Sequence, residues 1–353
     1  MTAYPQGDQV EKTYKKRDPI PDYLKAISII GVVLIHAEAP GSSYFRFCVP
    51  VFVGIWAIFL ERAIQSSEKH IGFKLYALVR EKLLYLFIPY AVWTVFYIAQ
   101  QYSLDEFLNL PLHTIFFGLF GGFGFAGQYF FIVLFQLYLL FPIIRSFIKK
   151  NNFLPLTGAS LLITWGLLYS LSDWPVAWKI GYRPFIYWLP YTIFGISIAK
   201  GFIKRNDALI PLIIPIVLLF PLELSRFDNG FASYNAISVS LASLLLIMTC
   251  APAAESFKGG ILSNYFNKKD SVFGRVIQYV GKNTYPIFLT NFFFLSFTKQ
   301  IGPSGGDRIV AAIIAILGGL LVGEIFRRAG IGILVGTPVS TKDRALASGG
   351  GGG

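Results

Sequence analysis

The sequence contains little charge, few cysteines and few histidines. Only 14% of its 353 residues are Asp, Glu, Lys or Arg, whereas a soluble domain has about 25%, so much of the surface is predicted to face lipid. Two cysteines are too few for a disulfide framework, and no CxxC or Cys/His pattern predicts a bound metal. The polar, basic N-terminal stretch lacks the apolar core that a cleavable signal peptide requires.

Apolar sequence dominates what remains, since 54% of the residues are hydrophobic. Crossing the hydrocarbon core of a bilayer takes about 20 mainly apolar residues. Ten stretches qualify as candidate spans: residues 23–39, 46–63, 83–100, 127–145, 154–171, 185–200, 208–224, 232–250, 276–298 and 308–326. We therefore predict an all-α fold, a polytopic membrane helical bundle of about ten transmembrane helices.

Two regions are predicted to depart from a simple spanning helix. Pro211, Pro215 and Pro221 predict that the stretch 208–224 is kinked or unwound, because proline removes a backbone donor. The stretch 112–127 is too rich in glycine for a simple helix and too apolar for open solvent. We interpret it as an interfacial or re-entrant segment.

Lysine and arginine are distributed unevenly between the two sides of the predicted spans. About six of the 31 lie opposite the N-terminus, namely Arg46, Lys179, Arg183, Arg226, Lys299 and Arg308. Because basic loops remain in the cytoplasm, both chain ends are predicted to be cytoplasmic. Residues 1–21 form an N-terminal arm, 22–330 the transmembrane unit, and 331–353 a tail whose glycine run resembles an appended linker. The net charge of +12 is thus a sign of topology, and no nucleic acid partner is predicted.

One histidine, His36, lies within a predicted span, and an ionisable residue at that depth is a functional-site hypothesis by default. Asp22, Lys25 and His36 share one helix face, with Lys25 and His36 about 16 Å apart along the axis. In one interpretation Lys25 reaches the inner surface and His36 only bonds to a neighbouring helix. In the other, a polar cavity follows this face and the imidazole accepts a proton, which its ordinary pKa of about 6.5 allows.

The segment DYLKAISIIGVVLIH (22–36) resembles the first helix of the membrane acyltransferase-3 family, which carries an aspartate, an arginine and a histidine at this spacing. Lys25 replaces the arginine, so the charge is kept and the planar fork is lost. Arg80 and Lys82 match two cations that precede the family's third helix. The segments 127–144 and 187–200 resemble its fourth and sixth spans, and Asn291 stands where a late segment often carries histidine.

The resemblance implies an acyl-CoA-dependent O-acyltransferase of the bacterial inner or plasma membrane. Such an enzyme moves an acyl group, commonly acetyl from acetyl-CoA, to a hydroxyl of a cell-envelope or exported carbohydrate or lipid-linked glycan. His36 is the predicted general base, with Asp22 beside it in the catalytic set as the residue that orients Lys25. The predicted anchors of the CoA phosphates are Lys25, Arg80, Lys82, Arg145, Lys149 and Lys150, and no metal is predicted.

Two other classes of protein remain open at this point. A polytopic transporter or flippase of a glycan or lipid-linked intermediate accounts for ten spans, a polar helix face and proline-broken helices without any CoA site. A structural membrane scaffold is the third alternative, and it leaves His36 unexplained.

Overall fold

The computed structural model describes residues 19–68, 75–119, 127–171, 181–225, 233–252, 272–298, 302 and 304–336. Within these ranges the chain is helical and contains no strand, so the predicted all-α fold is confirmed. The α-helices are α1 (Ile20–His36), α2 (Cys48–Glu68), α3 (Leu75–Gln101), α4 (Leu104–Leu108), α5 (Leu112–Leu119), α6 (Tyr129–Phe147), α7 (Phe153–Leu171), α8 (Leu189–Ala199), α9 (Ile213–Leu218), α10 (Phe220–Leu224), α11 (Ile237–Met248), α12 (Val272–Lys282), α13 (Thr284–Thr298) and α14 (Gly305–Arg328). Short 3-10 helices cover Ser42–Phe45, Phe185–Trp188, Asp207–Leu212 and Gly332–Val335.

Several helices have the length and composition needed to cross a bilayer. Among the described residues five do so: Ser42–Ser67, Val79–Gln101, Tyr129–Phe147, Phe153–Leu171 and Gly305–Arg328. Shorter apolar helices occupy Phe185–Ala199, Asp207–Leu218 and Ile237–Met248. A polytopic membrane bundle is therefore confirmed, whereas the count of ten spans and the cytoplasmic position of both ends stay predictions. Residues 1–18 and 337–353, which make up most of the predicted arm and tail, lie outside the described residues. Of the predicted re-entrant segment 112–127, residues 112–119 form α5 and residues 120–126 lie outside the described residues.

Two of the predicted spans are divided into shorter helices, and each contains proline. The stretch 208–224 divides into a 3-10 helix followed by α9 and α10, as its prolines predicted. The candidate span 276–298 is divided between two helices, because α12 ends at Lys282 and α13 begins at Thr284. Pro286, in the first turn of α13, has no N–H to donate to the carbonyl of Lys282, which favours a break at this point.

Helix α1 lies at the centre of the packing and contacts α2, α12, α13 and α14. Small residues allow neighbouring helices to approach closely. A Cβ on Gly281 of α12 would overlap the backbone carbonyl of Asp22, and one on Gly195 of α8 would lie 2.5 Å from the carbonyl oxygen of Gly54 in α2. The Gly281 contact places α12 against Asp22, and Asn291 of α13 lies against His36. Asp22 and His36 therefore face other helices.

A buried ion pair joins α2 to α6. Glu61 is fully buried and accepts hydrogen bonds from Nε of Arg145 at 2.7 Å and from Nε2 of Gln65 at 3.0 Å. Lys200 donates to the carbonyls of Arg145 and Ile148, each at 2.9 Å, and so caps the end of α6. Arg145, a predicted CoA anchor, thus stabilises helix packing through Glu61.

Arg145→Met tests the contribution of this pair to stability. Removing one member of a buried pair strands the other charge and costs roughly 3 kcal/mol, so we expect a marked fall in the detergent unfolding temperature. The double variant Glu61→Gln/Arg145→Met should recover much of the loss, because neither charge is left alone. Lys149→Ala, at an exposed position on the same side, is the matched control. An Arg145→Met protein as stable as the parent would contradict the assignment.

Candidate functional site

His36 is the last residue of α1, and its ring is held by α13. Nδ1 of His36 lies 2.9 Å from Oδ1 of Asn291. The amide nitrogen of Asn291 donates to the carbonyls of Ile287 at 3.2 Å and Phe288 at 2.5 Å, which turns the amide oxygen towards the imidazole. An acceptor at Nδ1 selects the tautomer with its proton there, because neutral imidazole has one donor and one acceptor nitrogen. Nε2 therefore carries the free lone pair.

The first cavity beside His36 has mainly apolar walls and a volume of about 80 Å³. Sites for small ligands commonly have walls of this apolar character. We call it the aromatic cavity; it is lined by Val32, His36, Val49, Phe52, Gly127, Tyr129, Phe130, Tyr234, Thr284, Tyr285 and Phe288. It extends from the start of α13, on the predicted cytoplasmic side, to the start of α6, on the predicted outer side.

The second cavity lies on the predicted outer side and has a volume of about 370 Å³. We call it the polar cavity; its lining is His36, Ala37, Glu38, Leu295, Thr298, Gly302, Asp307, Arg308 and Ala311. An ion pair of 2.8 Å between Arg308 and Glu38 fixes the start of α14 against the end of α1. Among the described residues, His36 is the one that lines both cavities.

Gly127 allows the chain to pass close to the imidazole. Its φ of +94° is in the left-handed region that glycine tolerates. A Cβ at this position would lie 3.3 Å from Cε1 of His36 and 3.0 Å from the ring of Phe288. The backbone before α6 thus forms a wall of the aromatic cavity directly against the ring.

Asp22 and Lys25 are paired as the sequence analysis predicted, with Nζ of Lys25 2.8 Å from Oδ1 of Asp22. The Lys25 ammonium also lies 5.4 Å from the centre of the Phe59 ring. Asp22 is buried, whereas the side chain of Lys25 keeps 18% exposure. Neither residue lines the two cavities described above, so a donor molecule would have to connect this pair to His36.

The other predicted anchors are dispersed over the surface and helix interfaces. Arg80, Lys149 and Lys150 are exposed, and Nζ of Lys82 lies 4.0 Å from Glu81. Together with Arg145, they are absent from the walls of both cavities. The structure does not join them to His36 in one site, and their contact with CoA phosphates stays a prediction.

The sequence analysis missed the partner of the imidazole. Asn291 was noted only as a position where the acyltransferase-3 family often carries histidine. That substitution was the available signal, because a polar residue in an apolar helix needs a partner and His36 is another such residue. Within the described ranges, no group of three His, Cys, Asp or Glu side chains is placed to hold a metal ion.

Comparison with protein families matches residues 18–328 to an acyltransferase domain, that of the acyltransferase-3 family. No curated protein and no solved structure matched the chain. The matched region contains both cavities, His36 with its amide partner, and the Asp22–Lys25 pair. Because the family match extends over most of the chain, this protein belongs to the acyltransferase-3 family of membrane acyltransferases.

Proposed function

We propose that this membrane acyltransferase transfers an acyl group, acetyl in the first instance, from cytoplasmic acyl-CoA to a hydroxyl of a cell-envelope or exported carbohydrate. The observation that carries the proposal is the position of His36, which has its Nδ1 bonded to Asn291 and its ring in the walls of two cavities. A general base needs a free lone pair and access for the group that loses its proton.

The chemistry requires one base. Nε2 of His36 takes the proton of the acceptor hydroxyl as the oxygen attacks the thioester carbon. The tetrahedral intermediate collapses with cleavage of the C–S bond, and the imidazolium returns its proton to the departing CoA thiolate. Asn291 holds the ring in the productive tautomer and accepts the hydrogen bond of the imidazolium that forms transiently.

The two substrates approach from opposite sides of the ring. The thioester enters at the Thr284–Tyr285 end of the aromatic cavity, since α13 begins there on the predicted cytoplasmic side. Apolar walls suit an acyl chain. The acceptor arrives from the predicted outer side, where the aromatic cavity ends at Tyr129 and Tyr234 and the polar cavity adds a more polar connection to His36.

The transporter alternative predicts a different behaviour. It needs no acyl donor and no proton acceptor at Nε2, and movement of a glycan would persist without CoA. Transfer of radiolabelled acetyl from acetyl-CoA to extracted carbohydrate by the purified protein in vesicles separates the two, because a transporter gives no labelled ester.

His36→Ala should abolish this transfer while the protein remains folded. Loss of a general base costs about 10²–10⁴-fold in rate, and the detergent unfolding temperature should stay close to that of the parent. His113→Ala is the matched control, since His113 is exposed at the start of α5. Mass spectrometry of cell-envelope carbohydrates should show the same O-acyl mass lost with His36→Ala and kept with His113→Ala. Full transfer by His36→Ala would remove the proposed base.

Asn291→Leu should lower kcat roughly tenfold or more with little change in KM, because the free imidazole then samples both tautomers and other orientations. Asn291→Asp retains an oxygen acceptor and should keep more activity. Thr290→Val, one residue away, removes a hydroxyl that bonds only within its own helix and controls for packing. An unchanged kcat in Asn291→Leu would mean that His36 needs no positioning partner.

Lys25→Ala should raise the KM for acetyl-CoA by about tenfold, as expected for one charge-assisted contact to phosphate, and Lys25→Arg should be tolerated. Acetyl-pantetheine, which carries the thioester without the nucleotide phosphates, should be used equally by the parent and by Lys25→Ala. This donor also reports whether the variant is folded. Arg80→Ala and Lys82→Ala in the same assay test the other anchors. A KM for acetyl-CoA that does not change in Lys25→Ala would contradict the anchor assignment.

A further inference from the structure

Three tyrosines and an arginine form a cluster at the outer end of the aromatic cavity. The ring centres of Tyr129, Tyr182 and Tyr234 are 5.1–6.3 Å apart. Tyr129 and Tyr234 line the cavity itself. The guanidinium carbon of Arg46 lies 5.3 Å from the centre of the Tyr234 ring. The cluster therefore places a cation beside a ring that lines the aromatic cavity, as His36 does.

Arg46 has no anionic partner among the described residues. Its Nε is buried and without a hydrogen-bond partner, and no described carboxylate forms an ion pair with it. Tyr182 does not supply the missing charge. Burial, with a contribution from Tyr234, raises the pKa of Tyr182 to about 12, so this phenol is neutral at physiological pH.

The segment around Tyr234 has one further unsatisfied polar atom. Nδ2 of Asn235 is buried and has no hydrogen-bond partner. The other end of the Asn235 amide is used, since its Oδ1 accepts from the hydroxyl of Tyr191 at 3.0 Å. Buried polar groups are normally satisfied, and exceptions require an explanation. A cation without an anionic partner and a free amide N–H on the residue next to Tyr234 are groups that a bound oxyanion would satisfy.

Resting on the proposed function, we propose that Arg46 and the three tyrosines form a subsite for an acidic group of the acceptor, so that the preferred acceptor is an anionic carbohydrate. A carboxylate or phosphate on the sugar pairs with the guanidinium, which suits both in a bidentate way. Tyrosine faces suit the apolar faces of sugar rings. Because the cluster adjoins the cavity of His36, binding the acidic group there brings a neighbouring hydroxyl towards Nε2.

Two matched pairs of probes test this subsite by binding alone. The tetramer of β-1,4-linked glucuronate differs from cellotetraose only by its carboxylates, and glucose 6-phosphate differs from glucose by its phosphate. With purified protein in phosphatidylcholine nanodiscs, we expect at least one acidic probe to bind about tenfold more tightly than its neutral counterpart. Arg46→Gln should remove this preference, and Arg46→Lys should restore part of it. Lys204→Gln, which removes an exposed cation outside the site, should leave it unchanged.

The outcomes separate this inference from the proposed function. Equal binding of acidic and neutral probes, or a preference that survives in Arg46→Gln, would overturn the acidic subsite even if acetyl transfer is intact. An effect of Arg46→Gln seen only when phosphatidylglycerol is added to the nanodiscs would assign Arg46 to a lipid headgroup instead and also overturn it. If the parent protein transfers no acetyl group but still binds acidic probes more tightly than neutral ones, the proposed acyltransferase activity is refuted and the acidic subsite is not.

Discussion

The hydrogen bond between His36 and Asn291 is the constraint on which the rest of the site depends. An imidazole within an apolar bundle requires a partner, and this partner also decides which nitrogen holds the proton. Asn291 faces the ring because its own amide nitrogen is fixed by the carbonyls of Ile287 and Phe288. The break between α12 and α13 at Asn283 lies about two turns before Asn291 on the same chain segment. Pro286, which lacks the N–H that would bond across the break, favours it.

The cavities follow from where α1 ends. His36 is the last residue of the helix, and the chain turns sharply at Glu38, whose φ of +53° is rare outside glycine. Beyond that point loops and helix ends replace close helix packing, which leaves space on both sides of the ring. Gly127 forms part of the wall of the aromatic cavity, and the Arg308–Glu38 pair forms part of the wall of the polar cavity. An imidazole in the middle of α1 would be enclosed by side chains and unreachable by either substrate.

Local sequence patterns predicted local features well. Apolar run length located the helices, proline marked the broken stretch at 208–224, and helical periodicity placed Lys25 within reach of Asp22. Contacts between distant segments were beyond such patterns, because the pairing of Glu61 with Arg145 and of His36 with Asn291 depends on how helices pack. The count of lysines and arginines predicts the side of the membrane on which a cation lies but not the group that it contacts. Arg145 was predicted to bind CoA phosphate, and nothing in the sequence indicated that it also pairs with Glu61.

Charged residues are scarce in this chain, and the buried carboxylates of α1 and α2 each have a cationic partner. Asp22 is neutralised by Lys25, and Glu61 by Arg145. A charged group that leaves water without a partner is costly. Arg46 is half-buried with an unbonded Nε, and its guanidinium lies over the ring of Tyr234, which lines the cavity of His36. The contact with the Tyr234 ring accounts for part of the position of this guanidinium. An acidic substrate would add the anionic partner that the described residues do not supply.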